Sequence, residues 1–235
     1  MTEPGLERAR ILDAGDPLAE FRERFLVPEG VIYLDGNSLG CLPKATPPRM
    51  EQVVREQWGR DLIRSWNTAG WVDWPARIGA RIAPLIGAQP QEVIACDSTS
   101  VNLFKLIAAA LGMRPGRKVV LSEPGNFPTD LYMIDGLEKQ GLAERRLAPR
   151  ERLAEALDDD VALLLLTHAH YKTGELFDMA ELTRAAHEAG ALVLSDRLHP
   201  RGAGKRCLTL LVTSRRRPYA VSRPRRALLQ STPHH

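Results

Sequence analysis

Runs of apolar residues alternate with amphipathic stretches from residue 5 to about residue 195. Three runs are apolar on both faces and predict buried strands: "KVVLSE" (118–123), "VALLLLTH" (161–168) and "ALVLSD" (191–196). Two shorter runs, "VIYLD" (31–35) and "EVIAC" (92–96), predict further strands. Amphipathic stretches with helical spacing lie between them, at 5–27, 47–66, 74–88, 100–113, 128–141 and 178–190. Buried strands separated by helices predict an α/β fold with a mostly parallel sheet covered on both faces.

Polar residues follow the predicted strands. In a parallel sheet, ligands bind at the carboxyl ends of the strands. Those ends carry small hydroxyls and acids, at 96–100, 123–130, 167–170 and Asp196. We therefore expect these segments to form a ligand site.

The stretch "DSTSVNLFK" (97–105) places three hydroxyls between a strand and a helix N-terminus. Free backbone N–H groups and hydroxyls at such a position can bind a phosphate. A plain helix cap by Ser or Thr explains the same pattern.

The stretch "GNFPTDLY" (125–132) also enters a helix. Phe127 can stack on a flat ligand ring, while Thr129 and Asp130 supply polar contacts. The alternative is an ordinary helix start, with Pro128 early and Asp130 favoured by the helix dipole.

Asp196 ends a buried strand, where a carboxylate is costly unless it is paired. One use of such a group is to hold a proton on a pyridine nitrogen, and His199 could orient it. The alternative is a cap on the next turn. His168 and His170 resemble a metal pair, but alternate residues of a strand face opposite ways, so Thr167 is the better ligand contact.

The net charge of +3 is unevenly distributed, since residues 197–235 contain nine Arg, one Lys and no Asp or Glu. The first 196 residues then carry −7. A basic end is typical of a nucleic-acid or membrane tail, or of sequence read out of frame. The three scattered cysteines favour neither a disulfide framework nor a zinc site. No apolar run approaches the ~20 residues of a membrane span, so we expect a cytoplasmic protein.

Five motifs occur in one order and spacing: "YLDGNSLG" (33–40), "SWNTAGW" (65–71), "DSTSVNLFK" (97–105), "NFPTD" (126–130) and "THAHYKTGELFDM" (167–179). Together they resemble the kynureninase family over about residues 5–199. The resemblance implies the large domain of the aspartate aminotransferase-like (fold type I) class and the cofactor pyridoxal 5'-phosphate. It also implies hydrolysis of L-kynurenine, or 3-hydroxykynurenine, to anthranilate or 3-hydroxyanthranilate and L-alanine, in tryptophan catabolism and NAD biosynthesis. A cytoplasmic homodimer without nucleic-acid or membrane partners is expected.

The resemblance also assigns roles to residues. Thr99 and Ser100 would bind the cofactor phosphate, Phe127 would stack on the pyridine ring, and Asp196 would pair with its nitrogen. Other cofactor contacts would come from Pro128, Thr129, Asp130, Thr167 and His199. Substrate contacts would come from Asn37, Ser38, Trp66 and Asn67.

The chain departs from the family after Asp196. The family's Schiff-base lysine stands in a Tyr-Lys-Tyr-Leu-Asn-like context, and none of the six lysines here does, so we assign no catalytic residue. We expect a frameshift near residue 199, an incomplete large domain and no C-terminal small domain. The predicted limits are an N-terminal helical segment (1–30), a partial cofactor-binding domain (31–199) and a basic, non-native or disordered tail (200–235).

Three alternatives stay open at this point. The chain can be a non-catalytic kynureninase fragment. It can belong to another fold type I enzyme, such as a class V aminotransferase or a cysteine desulfurase. Its end can be a real basic tail that binds RNA or DNA.

Overall fold

The computed structural model describes residues 3–36, 38–198 and 208–213. These residues fall into two compact units, which divide between Trp71 and Val72. The domain limits expected from the sequence stay a prediction.

The first unit consists of short helices and one small strand pair. Its strands, β1 (Phe25–Leu26) and β2 (Leu42–Pro43), are antiparallel. Its helices are α1 (Glu3–Ala14), α2 (Thr46–Gln52), α3 (Gly59–Asp61) and α4 (Ser65–Thr68), with 3-10 turns at Ala19–Arg24 and Leu62–Arg64 and a π-helical turn at Val53–Trp58.

Two expectations for this unit were wrong in detail. The helix expected over 47–66 is broken into pieces, and Leu62 takes a positive φ of 51°. The strand expected at 31–35 does not form. No strand among the described residues pairs with this segment, and the side chains of Ile32 and Leu34 are 86% and 87% exposed.

The second unit is built on a five-stranded sheet. Its strands are β3 (Val119–Ser122), β4 (Glu144–Leu147), β5 (Val161–Thr167), β6 (Leu192–Leu198) and β7 (Leu208–Thr213), in the order β4-β3-β5-β6-β7. The first four are parallel, and β7 is antiparallel to β6. The helices are α5 (Trp74–Ile86), α6 (Thr99–Gly112), α7 (Pro128–Lys139) and α8 (Met179–Glu188), with 3-10 turns at Pro90–Glu92 and Arg150–Arg152. A further 3-10 turn, Trp71–Asp73, lies where the two units divide. The predicted α/β class with a mostly parallel sheet is confirmed.

The central strands are apolar on both faces because helices cover both faces. On one side, which we call the α7 face, alternate side chains such as Leu163, Leu165 and Leu194 pack with α6 and α7. On the other, the α8 face, Leu164 and Val193 pack with α8. This alternation decides which side of the sheet each residue at a strand end occupies.

The segment 92–96 was wrongly expected to be a strand. Its backbone bonds α5 instead, since the N–H of Ala95 donates to the carbonyl of Pro75 at 3.1 Å. Gly79 of α5 allows this approach, because a Cβ there would lie 2.0 Å from the carbonyl oxygen of Val93.

Two strands of the five-stranded sheet were not expected from the sequence, and neither were the two-residue strands β1 and β2 of the first unit. The edge strand β4 reads "ERRL" and is mostly exposed, so it lacks an apolar signal. Strand β7 lies beyond residue 199, in the region assigned to the tail. Within the described part of the chain, no helix is both long enough and apolar enough to cross a membrane.

Candidate functional site

Three polar side chains lie on the α7 face near the carboxyl ends of neighbouring strands: Ser122 and Thr167 end β3 and β5, whereas β6 continues two residues beyond Asp196. Each stands two residues beyond a core residue of that face: Ser122 after Val120, Thr167 after Leu165 and Asp196 after Leu194. Thr167 and Asp196 are direct neighbours in the register of β5 and β6. All three are buried. Two hydroxyl groups and one carboxyl group thus lie together where the parallel strands end.

Asn126 ties these strand ends to the start of α7. Its amide donates to Ser122 Oγ at 3.0 Å, and Ser122 Oγ donates to the carbonyl of Leu165 at 2.8 Å. Its Oδ1 accepts from Thr167 Oγ1 at 2.6 Å and from the Phe127 N–H at 2.7 Å. A buried network with these bonds fixes the loop that carries Phe127.

Asp130 is the third residue of α7 and is fully buried beside Thr167. Thr167 Oγ1 lies 3.3 Å from Asp130 Oδ2, while Oδ1 has no hydrogen-bond partner among the described residues. Burial raises the pKa of Asp130 to about 6, against hydrogen bonds from Thr167 and Thr129 that lower it.

Asp196 is the more perturbed carboxyl. Burial, and then the charge of Asp130, raise its pKa to about 7. Its Oδ1 is buried and finds no hydrogen-bond partner in the described part of the chain. Two buried carboxyls with unsatisfied oxygens would bind a group that is cationic or that donates a proton.

The start of α6 is capped by Ser98, whose hydroxyl accepts from the N–H of Val101 at 3.4 Å. Thr99 and Ser100 then occupy the first two helical positions and are half-buried. Just before the cap, Asp97 has a positive φ of 45° and forms an ion pair with Lys105. Ser98 therefore caps the helix, while Thr99 and Ser100 remain available for the phosphate contact expected from the sequence. The two interpretations of this stretch are compatible.

Phe127 caps α7 from a half-exposed position, followed by Pro128 and Thr129 at the first two helical positions. Its ring contacts Tyr171 edge-on, with centroids 5.1 Å apart and planes at 74°. Tyr171 in turn stacks on His170 at 5.5 Å. We did not single out Asn126 or Tyr171 from the sequence, although both lie in the motifs that carry the family resemblance.

Glu123 does not belong to this group, although it directly follows β3. Its position beyond Leu121 places it on the α8 face, where it is 4% exposed and lies 3.7 Å from Arg150. Burial raises the pKa of Glu123, and Arg150 opposes that shift. Arg150 also covers the Phe177 ring at 3.5 Å. Among the described residues, no group of three or more His, Cys, Asp or Glu is arranged to hold a metal ion.

The residues expected to contact substrate lie in the first unit or outside the description. Ser38 and Asn67 are exposed there, and Trp66 is 51% exposed with its ring 6.3 Å from that of Trp71. Asn37 and His199 lie outside the described residues. These assignments stay predictions.

Known proteins resemble this chain in sequence, and others resemble it in fold. The family model for class-V aminotransferases matches residues 73–199. The chain therefore belongs to the aminotransferase class-V family. Within it, the chain is similar to kynureninase: it is 50% identical to that of Pseudomonas fluorescens over 199 residues and to that of Burkholderia mallei over 204. The resemblance seen in the sequence is thus confirmed.

These matches cover 82% and 84% of the chain but only 48% and 49% of the relatives. The chain thus spans about half the length of the curated relatives it matches. Among solved structures, the cysteine desulfurase CsdA from Escherichia coli aligns with a TM-score of 0.61 at 20% identity, over 77% of this chain and 48% of that one. A C-DES mutant with glycine covalently linked to its PLP cofactor aligns with the same TM-score at 16% identity, over 77% and 50%. At these identities the structures support the fold alone.

Proposed function

We propose that this chain forms the cofactor-binding part of a pyridoxal phosphate enzyme that hydrolyses L-kynurenine, or 3-hydroxykynurenine, to anthranilate, or 3-hydroxyanthranilate, and L-alanine. One observation carries the proposal for the site: Asp196, with a buried oxygen that has no partner among the described residues and a raised pKa, stands beside Asp130 near the carboxyl ends of the parallel strands. The 50% identity to kynureninases supplies the reaction.

The residues present fit the cofactor. Pyridoxal phosphate, when bound, supplies an electron sink for the charge that develops on the substrate as its carbon–carbon bond breaks. Asp196 Oδ1, left without a partner among the described residues, would accept a hydrogen bond from the N–H of the pyridine nitrogen and so favour the protonated form of that nitrogen. A cation there also removes the cost of two adjacent buried carboxyls.

Other residues would hold and orient the ring. Phe127 would stack on its face, and Thr167 would contact its polar edge. Thr99 and Ser100, with the free N–H groups of the α6 start, would bind the phosphate. Pro128 and Thr129 would place Asp130 at the ring.

The remaining proposals concern the whole protein. We propose that it acts in the cytoplasm as a homodimer, in the kynurenine pathway of tryptophan catabolism and NAD biosynthesis. Since the chain spans half of its relatives, the first test of the chain itself is cofactor binding.

The test is a titration of the purified full chain with pyridoxal phosphate, followed by equilibrium dialysis. We expect saturable binding, weakened at least tenfold in Asp196→Asn, because a hydrogen bond to a charged group contributes about 1.5–3 kcal/mol. The control is Asp13→Asn, which changes an exposed carboxyl of α1 and should bind like the unaltered chain. Equal affinity in all three proteins would refute the role of Asp196.

The reaction is tested separately, by the fluorescence of anthranilate released from L-kynurenine. A full-length relative should release it. Binding without turnover by this chain would support a cofactor-binding part, and absence of binding would reject the proposal.

A further inference from the structure

Three aromatic rings form a continuous run at the edge of the site. His170 stacks on Tyr171, with ring planes 26° apart. Tyr171 and Phe127 make an edge-on contact, with ring planes at 74°. Tyr171 and Phe127 are 45% and 42% exposed. Their contact therefore contributes little to the apolar core, and a role at the surface of the site explains it better.

The backbone at both ends of this run is held by hydrogen bonds. The N–H of Phe127 donates to Asn126 Oδ1 at 2.7 Å. On the other side, the N–H of His170 donates to the carbonyl of Glu175 at 2.9 Å, and the N–H of Gly174 donates back to the carbonyl of His170 at 2.8 Å. Both loops are thus fixed, and only the ring orientations remain to be set.

His170 is seated between these loops. Its Nδ1 accepts from the N–H of Thr173 at 3.2 Å, so the neutral ring carries its proton on Nε2. Nε2 faces Gly125, where a Cβ would lie only 3.0 Å away. The glycine therefore lets the imidazole approach the loop that leads to Phe127.

Tyr171 has open space on another side. It borders a cleft of about 370 Å³, which is also lined by Pro128, Leu131 and Tyr132. The Lys172 ammonium also lies over this ring, 5.4 Å from its centroid, so the orientation of Tyr171 depends on its contacts with His170, Phe127 and Lys172.

We propose that Tyr171 is a positioning residue that holds the ring of Phe127 in the orientation needed to stack on the cofactor. His170 fixes Tyr171 in turn. This inference rests on the proposed function, since it needs a cofactor ring for Phe127 to face. An edge-on aromatic pair has enough energy to select one orientation of a half-exposed ring.

The test uses the full chain with added pyridoxal phosphate. Its variants are Tyr171→Ala, Tyr171→Phe, which keeps the ring, and Tyr132→Ala, which removes a tyrosine from the same cleft. Three quantities are measured: the dissociation constant by equilibrium dialysis, the induced circular dichroism of the bound chromophore per molecule bound, and the melting temperature without cofactor.

We expect Tyr171→Ala to weaken binding about two- to tenfold and to reduce the induced dichroism per bound molecule. Tyr171→Phe and Tyr132→Ala should match the unaltered chain in both. A purely structural role would lower the melting temperature of Tyr171→Ala and leave the dichroism per bound molecule unchanged.

The outcomes separate the two proposals. If the unaltered chain binds the cofactor and Tyr171→Ala binds it with the same affinity and dichroism, the inference is overturned and the proposed function stands. The inference also fails if Tyr171→Phe behaves like Tyr171→Ala. If the unaltered chain does not bind the cofactor, both proposals fall.

Discussion

Replacing Asp196 by Asn should stabilise the protein without cofactor, although the residue stands in the candidate site. Burial and the neighbouring Asp130 raise the pKa of Asp196 from 3.8 to about 7. Asn has nearly the shape of the protonated carboxyl and never ionises. The substitution thus removes a buried charge that the fold must otherwise carry at neutral pH.

The sign of the pH dependence follows from proton linkage. Between about pH 4 and pH 7 the folded state holds a proton on Asp196 that the unfolded state has lost, so the free energy of unfolding falls as pH rises. Each pKa unit corresponds to about 1.4 kcal/mol, so the shift from 3.8 to about 7 amounts to about 4 kcal/mol. Asp196 is only 7% exposed, so solvent screens this effect little.

The assay is urea unfolding of the full chain without cofactor, followed by circular dichroism between pH 4.5 and pH 8. We expect Asp196→Asn to exceed the unaltered chain by about 1 kcal/mol at pH 4.5 and by about 2–4 kcal/mol at pH 8. A residual slope should remain in the variant, because burial also raises the pKa of Asp130, to about 6.

The control is again Asp13→Asn, whose exposed carboxyl should leave the pH profile unchanged. A difference between Asp196→Asn and the unaltered chain that stayed constant across this pH range would refute the reasoning. The same variant should bind pyridoxal phosphate more weakly, so one substitution would raise stability and lower affinity.

Three further pairs of substitutions, each a test variant with its control, examine the packing of the second unit and the hydrogen bonds of the candidate site. Gly79→Ala should lower the free energy of unfolding by about 1–3 kcal/mol, because the added Cβ would clash with the Val93 carbonyl. Its control is Gly136→Ala in α7, where nothing lies within 4 Å of the added Cβ. This control should raise the free energy of unfolding by about 0.5–1 kcal/mol. Arg117→Gln should lower the free energy of unfolding by about 1–3 kcal/mol, because Arg117 Nη1 donates to the carbonyls of Val161 and Ala189. Its control is Asp159→Asn, which changes the exposed ion-pair partner of Arg117 and should alter the free energy of unfolding by less than about 0.5 kcal/mol. Both pairs are measured by urea unfolding at pH 7, and equal effects within a pair would contradict the packing argument. Asn126→Ala leaves the Thr167 hydroxyl and the Phe127 N–H without their acceptor. It should therefore weaken cofactor binding in the dialysis assay more than Asn102→Ala in α6 does. Equal affinities of the two variants would contradict a role of the Asn126 network in binding.

The sequence predicts the centre of the second unit well and its margins poorly. The strands β5 and β6 are apolar on both faces, which only a covered sheet explains. The positions of Thr167 at the end of β5 and of Asp196 near the end of β6 follow from the same pattern. The strand β4 was missed because an edge strand needs only one partner and can be polar. The run at 31–35 has the composition of a strand and lacks a partner, which composition cannot reveal.

The site was predictable only in part, for a related reason. Asp196 stood out because a carboxylate at the end of a buried strand needs an explanation. Asp130 could be read equally well as an ordinary helix start. Its burial depends on α7 packing against β5, and the hydrogen bonds of Asn126 depend on two strand ends and a loop that are distant in the chain. Such contacts carry no local signal.

The alternation of side chains along β5 and β6 limits how this protein can change. Thr167 and Asp196 share their strands with core leucines. One residue inserted or deleted within either strand would therefore move the polar side chain to the opposite face of the sheet and would also shift the core leucines out of register. Viable length changes are therefore confined to the loops that precede or follow the strands. In evolutionary terms, the core positions and the site positions of each strand are inherited together, because a change in their spacing would alter both.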